Sequence, residues 1–162
     1  MEKVVIALGS NLGNRLQTLQ KAGDFLSTLS EKPVKKASIW ESEPVGGAKF
    51  RFYNTVAEIA TTLPPSELLG QIKEFEQQCG REQNPERWGP RILDLDIIRF
   101  GSLVVQTENL IIPHPEYKSR LFVLMPMEEI NRSWCDPVTH TPISDLIDQA
   151  PGIEIEKTAF TW

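Results

Sequence analysis

The stretch RILDLDIIRF, residues 91–100, alternates aliphatic and acidic side chains at its centre. Alternation with a period of two is typical of a β-strand, because successive side chains of a strand point to opposite faces of the sheet. Asp94 and Asp96 therefore share one face, and the aliphatic residues on either side of them share the other. We predict a strand over residues 92–100 with one acidic and one apolar face.

Five further elements precede this strand in the chain. They are a strand over residues 3–8, an amphipathic helix over 14–29, strands over 34–41 and 52–61, and a helix that starts near Pro65 and ends at Gly80. The resulting order, β-α-β-β-α-β, predicts an α+β protein with a ferredoxin-like core. A short strand over 103–106, short helices around 119–130 and 143–149, and a late edge strand over 152–158 are expected to add to this core. The expected architecture is a sheet between two helical layers.

The composition is typical of one soluble globular domain spanning residues 1–162. The apolar share is 40%, which excludes a disordered chain, collagen and a coiled coil. The formal net charge is −5, a poor match for nucleic acid. No apolar run approaches the roughly 20 residues of a membrane helix, and no signal peptide is recognisable. We expect a cytoplasmic monomer that binds neither nucleic acid nor membrane, with Cys79 and Cys135 reduced.

The acidic pair requires a positively charged partner. Asp94 and Asp96 lie roughly 6–7 Å apart at their Cα atoms in an extended strand, and each costs several kcal/mol if it is buried unpaired. Two arginines could neutralise them, but two Mg²⁺ ions fit better, because hard cations prefer carboxylate oxygens and bridge substrate phosphates. The alternative is an edge strand whose two aspartates simply face solvent.

A cationic loop, GREQNPERWGPR at residues 80–91, leads directly into the acidic strand. Its arginines, Arg81, Arg87 and Arg91, carry planar guanidinium groups that suit phosphate oxygens. Trp88 has little local structure to pack against and could stack on a heterocyclic ring. The pattern indicates polyphosphate chemistry. The alternative is a solvated loop whose charges pair with one another, with Trp88 in the core.

Other motifs are less specific. The stretch GSNLGNR, residues 9–15, follows a strand and opens a helix, but it lacks the Gly-Lys-Ser/Thr ending of a phosphate loop, so we predict a tight turn with close backbone packing. His114 alone is a weak signal, and His140 is assigned no role. Zinc and a covalent nucleophile are not expected, because the corresponding residue patterns are absent from the sequence.

The stretch RWGPRILDLDII, residues 87–98, resembles the signature of the 6-hydroxymethyl-7,8-dihydropterin pyrophosphokinase family. Other segments match that family in order and spacing over nearly the whole chain: GSNLG at 9–13, SEPVG at 42–46, FYN at 52–54, Glu76 followed by Gly80-Arg81, PHP at 113–115 and RLFVL at 120–124. The resemblance implies an enzyme of folate biosynthesis that moves the pyrophosphoryl group of ATP to the hydroxymethyl oxygen of the pterin. The attack is in line at the β-phosphorus, and AMP leaves.

The resemblance also implies roles for individual residues. Asp94 and Asp96 bind two Mg²⁺ ions, and Asp96 helps to remove the hydroxyl proton. Arg81 and Arg91 neutralise charge that develops on the phosphates. The remaining nucleotide contacts are Glu76, Trp88, Ile97, His114 and Arg120, and the pterin contacts are Ser42, Val45, Phe52, Asn54, Trp88 and Phe122. Phe52 and Phe122 could equally be core aromatics, and Glu76 could lie on the exposed edge of its helix.

Three positions depart from the family pattern. Gln83 stands where many members have an arginine, Ser42 replaces a common threonine, and Trp40 replaces a common tyrosine. Two other functions remain as alternatives: a nucleotidyltransferase, in which a Gly-Ser turn precedes the acidic pair by one short helix, and a non-catalytic ferredoxin-like binding domain. The spacing between Gly9 and Asp94 disfavours the first, and the acidic pair beside the arginine loop disfavours the second.

Overall fold

The computed structural model of the chain describes residues 1–43, 51–80 and 92–162. Its strands are β1 (Glu2–Ser10), β2 (Lys35–Lys36), β3 (Trp40–Ser42), β4 (Phe52–Thr61), β5 (Asp94–Phe100), β6 (Val105–Gln106), β7 (Ile111–Ile112) and β8 (Ile155–Lys157). Its helices are α1 (Arg15–Leu29), α2 (Pro65–Gln78), α3 (Leu121–Ile130) and α4 (Ile143–Gln149), with a 3₁₀ turn at Tyr117–Ser119. None of the helices in these ranges is long and apolar enough to cross a membrane.

Six strands form one antiparallel sheet in the order β5-β1-β4-β3-β8, and β2 pairs with β4 beside β3. Strand β1 lies between β4 and β5 and pairs with each along most of its length. Strand β5, which carries the acidic pair, is therefore at one edge of the sheet. Strands β6 and β7 form a separate two-stranded ribbon.

The sheet has an apolar core on each face. Successive side chains of β1 point to opposite faces, and those from Val4 to Leu8 are all apolar. Val4, Ile6 and Leu8 pack with Leu19 and Leu26 of α1 and with Leu68 and Ile72 of α2. Val5 and Ala7 pack on the other face with Val123, Leu124 and Met127 of α3 and with Ile143 and Leu146 of α4. The prediction that β1 is buried on both faces is confirmed, and helices cover both sides of the sheet.

Both of the first two helices have local end structures, and those of α2 match the predicted signals at Pro65 and Gly80. The Asn14 side chain accepts a hydrogen bond of 3.1 Å from the Gln17 backbone N–H, which caps the start of α1. Helix α2 has proline in its first turn, and Gly80 follows its last turn with a φ of +96°, where a left-handed conformation favours glycine. Cys79 and Cys135 are free thiols, as expected.

Three strand predictions needed correction. The edge strand expected over 152–158 covers only Ile155–Lys157. The strand expected over residues 34–41 is two short strands, because the chain advances four residues from Lys36 to Trp40 while its partner β4 advances three, from Ala57 to Asn54. The extra residue interrupts the pairing, as a bulge does. The strand expected over 103–106 covers only Val105–Gln106, and its partner β7 was not predicted.

Candidate active site

A row of cross-strand neighbours spans the sheet where β1 ends and β4 and β5 begin. Gly9 of β1 pairs with Asp94 of β5 on one side and with Asn54 of β4 on the other, and Asn54 pairs with Trp40 of β3. Directly paired residues point to the same face of the sheet. Adjacent strands lie about 4.8 Å apart, so the Cα atoms of Asp94 and Asn54, two strands apart, are about 10 Å from each other. A carboxylate and an amide therefore share one face, with a glycine between them.

Gly9 places no side chain between Asp94 and Asn54, and the Asn54 amide packs closely against it. A Cβ atom at this position would lie 3.0 Å from Oδ1 of Asn54, closer than ordinary contacts allow. The close packing predicted near this turn is thus a contact between the β1 backbone and the Asn54 amide. Gly13, with a φ of +72°, lies in the turn that follows.

Asp94 and Asp96 are half-buried, whereas Leu93, Leu95 and Ile97 join the core beneath α1 and α2. The predicted alternation of faces is confirmed. The described residues contain no group of three or more His, Cys, Asp or Glu side chains placed to hold a metal ion. Two carboxylates suit Mg²⁺, which usually binds proteins through one or two carboxylates and takes its other ligands from water and substrate phosphates.

His114 lies against the outer edge of β5. Its backbone N–H donates to the Ile98 carbonyl at 3.0 Å, and its Nδ1 accepts from the Glu116 backbone N–H at 3.1 Å. Burial lowers the pKa of His114; Asp96 raises it, the charge of Arg120 lowers it, and Glu116 raises it, with a net decrease. The imidazole is therefore neutral at pH 7, with its proton on Nε2 because Nδ1 is an acceptor.

Glu76 lies at the same edge of β5 but on the α2 side. It is 5% exposed, and its Oε2 accepts a 2.9 Å hydrogen bond from the Leu95 backbone N–H. Along β5, Ile97 lies between the Leu95 N–H that donates to Glu76 and the Ile98 carbonyl that accepts from His114. Because the Ile97 side chain is buried in the core, Ile97 can contact a ligand only through its backbone.

On the far side of Gly9, Asn54 Nδ2 donates a 2.8 Å hydrogen bond to Ser42 Oγ, and both side chains are buried. This bond fixes which end of the Asn54 amide faces Gly9. Phe52, the partner of Ser42 on β4, is half-buried, as is Phe122 in the first turn of α3. Phe52 also lies close to Gly9, since its ring would be 3.8 Å from a Cβ atom there, so it is available as a flat wall beside the Asn54 amide.

Arg120 immediately precedes α3. Its Nη2 donates to Glu116 Oε2 at 2.5 Å, and its guanidinium carbon lies 5.8 Å from the centroid of the Phe122 ring. The Arg120 charge is therefore held near both Phe122 and His114. Four predicted site residues, Val45, Arg81, Trp88 and Arg91, lie outside the described residues.

One contact at the β3 end of this row of residues was not predicted. The indole Nε1–H of Trp40 donates to Glu129 Oε1 at 2.5 Å. In the sequence, Trp40 stood out only as a replacement for a tyrosine common in the family, and nothing pointed to Glu129. The two residues are 89 positions apart, so no local pattern signals their contact.

Residues 5–132 match the family described as 7,8-dihydro-6-hydroxymethylpterin-pyrophosphokinase (HPPK). The 2-amino-4-hydroxy-6-hydroxymethyldihydropteridine pyrophosphokinase of Bacillus subtilis (strain 168) is 42% identical over 154 residues, 94% of this chain and 89% of that protein. The folic acid synthesis protein fol1 of Pneumocystis carinii is 37% identical over 96% of this chain, which spans only 21% of that longer protein.

A solved structure extends the likeness to the fold. It is the wild-type HPPK-DHPS of Plasmodium falciparum with SDX-DHP, which is similar with a TM-score of 0.68 over 92% of this chain and 43% of that chain. At 15% identity this likeness concerns the fold alone.

Proposed function

Because the chain belongs to the 7,8-dihydro-6-hydroxymethylpterin-pyrophosphokinase family, we propose that it transfers the pyrophosphoryl group of ATP to the hydroxymethyl oxygen of 6-hydroxymethyl-7,8-dihydropterin in folate biosynthesis. The products are the pterin diphosphate and AMP. The observation that carries the proposal is the row from Asp94 through Gly9 to Asn54. It provides a phosphate-side carboxylate and a pterin-side amide on one face, separated by a glycine.

The chemistry is an in-line displacement at the β-phosphorus. The pterin hydroxyl oxygen forms a bond to this phosphorus, and the bond between the phosphorus and the oxygen that bridges it to the α-phosphate breaks, so AMP leaves with the electron pair. Asp94 and Asp96 would hold two Mg²⁺ ions, which supply positive charge to the triphosphate. Asp96 accepts the hydroxyl proton, and Arg81 and Arg91 neutralise charge on the phosphates.

Pterin recognition is assigned to the β3–β4 side of the row. The Asn54 amide offers both a donor and an acceptor group, which suits the edge of a pterin ring. The bond from Asn54 to Ser42 supports this role, because it holds the amide in one orientation before the ligand binds. Backbone groups near Val45 assist, and the aromatic rings of Phe52, Trp88 and Phe122 provide the walls.

Nucleotide recognition is assigned to the outer edge of β5. Ile97 contributes backbone groups, and the charged or polar contacts are Arg81, Arg91, His114 and Arg120, with Trp88 as an apolar contact. Glu76 acts from beneath this edge: its bond to the Leu95 N–H supports a role in fixing the strand against which the nucleotide lies.

The proposal extends to the fold and the state of the protein. The strand order β5-β1-β4-β3, with α1 and α2 on one face, supports a ferredoxin-like core to which α3, α4 and β8 are added. We assign a cytoplasmic monomer whose partners are ATP and the pterin, with no nucleic acid and no membrane.

The assay incubates the protein with Mg-ATP and the hydroxymethyl-dihydropterin and separates the nucleotides by chromatography. The proposal predicts AMP and pterin diphosphate in equal amounts, and no AMP when the pterin is omitted. ADP would indicate transfer of a single phosphoryl group and would contradict the proposal. Free pyrophosphate with a nucleotidylated product would instead favour a nucleotidyltransferase.

A further inference from the structure

The Glu129 carboxylate, near the end of α3, has both oxygens engaged by groups of the β2–β3 segment. Its Oε1 accepts from the Trp40 indole at 2.5 Å, and its Oε2 accepts from Ser38 through the backbone N–H at 3.2 Å and the hydroxyl at 2.8 Å. Lys157 Nζ, on the neighbouring strand β8, lies 3.9 Å from Oε2. A carboxylate can accept all of these bonds at once, whereas an amide would present a donor to one of them.

The indole held by Glu129 lies next to the Asn54 amide. Trp40 is the direct cross-strand partner of Asn54, so both side chains point to the same face, and Trp40 lies on the side away from Gly9. Trp40 is only 8% exposed, so its N–H would be left without a partner if Glu129 were removed. The ring would then turn toward another acceptor and change the space available to Asn54.

We propose that Glu129 is a positioning residue for the pterin, acting through Trp40. Its carboxylate fixes the plane of the indole, and the indole packs beside the Asn54 residue on the side away from Gly9. The inference rests on the proposed function, since it takes the pterin as the ligand of Asn54. It predicts an effect confined to the pterin side, because Glu129 is on the opposite side of Asn54 from Asp94.

The test compares Glu129→Ala, Trp40→Phe and the double variant by steady-state kinetics. We expect Glu129→Ala to raise the KM for the pterin about tenfold, with kcat and the KM for ATP within about twofold of wild type. Trp40→Phe removes the same hydrogen bond, so the double variant should be no worse than Trp40→Phe alone. Glu128→Gln, at the adjacent position of α3, is the matched control and should behave as wild type.

A second measurement does not depend on turnover. In ¹H–¹⁵N spectra, the indole resonance that Trp40→Phe removes should shift in Glu129→Ala and stay in place in Glu128→Gln. Glu129→Gln keeps an acceptor for the indole, so its KM for the pterin should lie closer to the wild-type value than that of Glu129→Ala. This variant also provides the comparison if Glu129→Ala fails to fold.

The outcomes separate this inference from the proposed function. A wild-type protein that forms no pterin-dependent AMP overturns both. A wild type that forms AMP, combined with an unchanged pterin KM in Glu129→Ala, overturns the inference alone. Equal losses in kcat and in both KM values, or additive effects in the double variant, would also overturn it, because they would indicate general loosening of the fold.

Discussion

Asp94 and Asp96 place two like charges on one strand face, where they repel each other. Replacing either with asparagine removes a proposed metal ligand and the repulsion together. We expect Asp94→Asn and Asp96→Asn to lower kcat by at least about 10³-fold while the melting temperature holds or rises. Kinetics and calorimetry on the same preparations provide the test. A lost thermal transition would mean that the pair is structural.

A substitution at Gly9, between Asp94 and Asn54, tests the role of the Asn54 amide. The Cβ of Gly9→Ala would lie 3.0 Å from Asn54 Oδ1, so the amide must move. We expect the KM for the pterin to rise about tenfold, with a smaller effect on the KM for ATP. An unchanged pterin KM in a folded Gly9→Ala protein would mean that the Asn54 amide does not bind the pterin.

Asp136 is a fully buried carboxylate that is not among the residues assigned to the proposed site. Burial raises its pKa, but hydrogen bonds from Tyr117, Thr139 and Val138 and the charge of Lys118 outweigh that effect and lower the pKa to about 2, from an ordinary value of 3.8. A depressed pKa stabilises the folded state above pH 3.8, and this contribution is lost as the pH falls toward 2.

The corresponding prediction concerns stability against pH. We expect Asp136→Asn to lower the free energy of unfolding at pH 7 by about 2 kcal/mol, because the ionised acceptor of these bonds is lost. The difference from wild type should shrink between pH 4 and pH 2, where the wild-type carboxyl takes up its proton. Denaturant melts at several pH values measure it. A difference that stays constant with pH would contradict the ionised state of Asp136.

At the scale of elements, α2 contains a residue that weakens it without a visible function. Gly70 is exposed in the middle of the helix, and a Cβ atom there would meet no atom within 4 Å. We expect Gly70→Ala to stabilise the protein by about 0.5–1 kcal/mol, since alanine restricts the unfolded chain and favours the helix. A thermal melt should show a higher midpoint with unchanged kinetics; a lower midpoint would mean that α2 has a neighbour at this position.

The elements that could be predicted from sequence are those with a local cause. Helices α1 and α2 follow from apolar periodicity, with Pro65 and Gly80 as end signals of α2, and β1 and β5 follow from buried or alternating residues. The break between β2 and β3 could not be predicted, because it depends on register against β4, and β7 exists only as the partner of β6.

At the scale of the whole molecule, the sheet order determines the proposed site. Alternation predicted which face of β5 carries the acids, but it did not predict that Gly9 and Asn54 would be their neighbours across two strands. The contact between Trp40 and Glu129 likewise needs the third helix to lie over β3. The residues at the site could therefore be nominated from motifs, while their arrangement required the fold.

The central claim is that Asp94 and Asp96 hold divalent cations against the triphosphate on the face shared with Asn54. The most direct measurement is a crystal structure with Mg²⁺, the pterin and an ATP analogue whose α,β-bridging oxygen is replaced by a methylene group. The account predicts two Mg²⁺ ions bound by Asp94 and Asp96 and by phosphate oxygens, with the pterin on Asn54. Aspartate side chains turned away from the triphosphate, with no ion beside them, would contradict it.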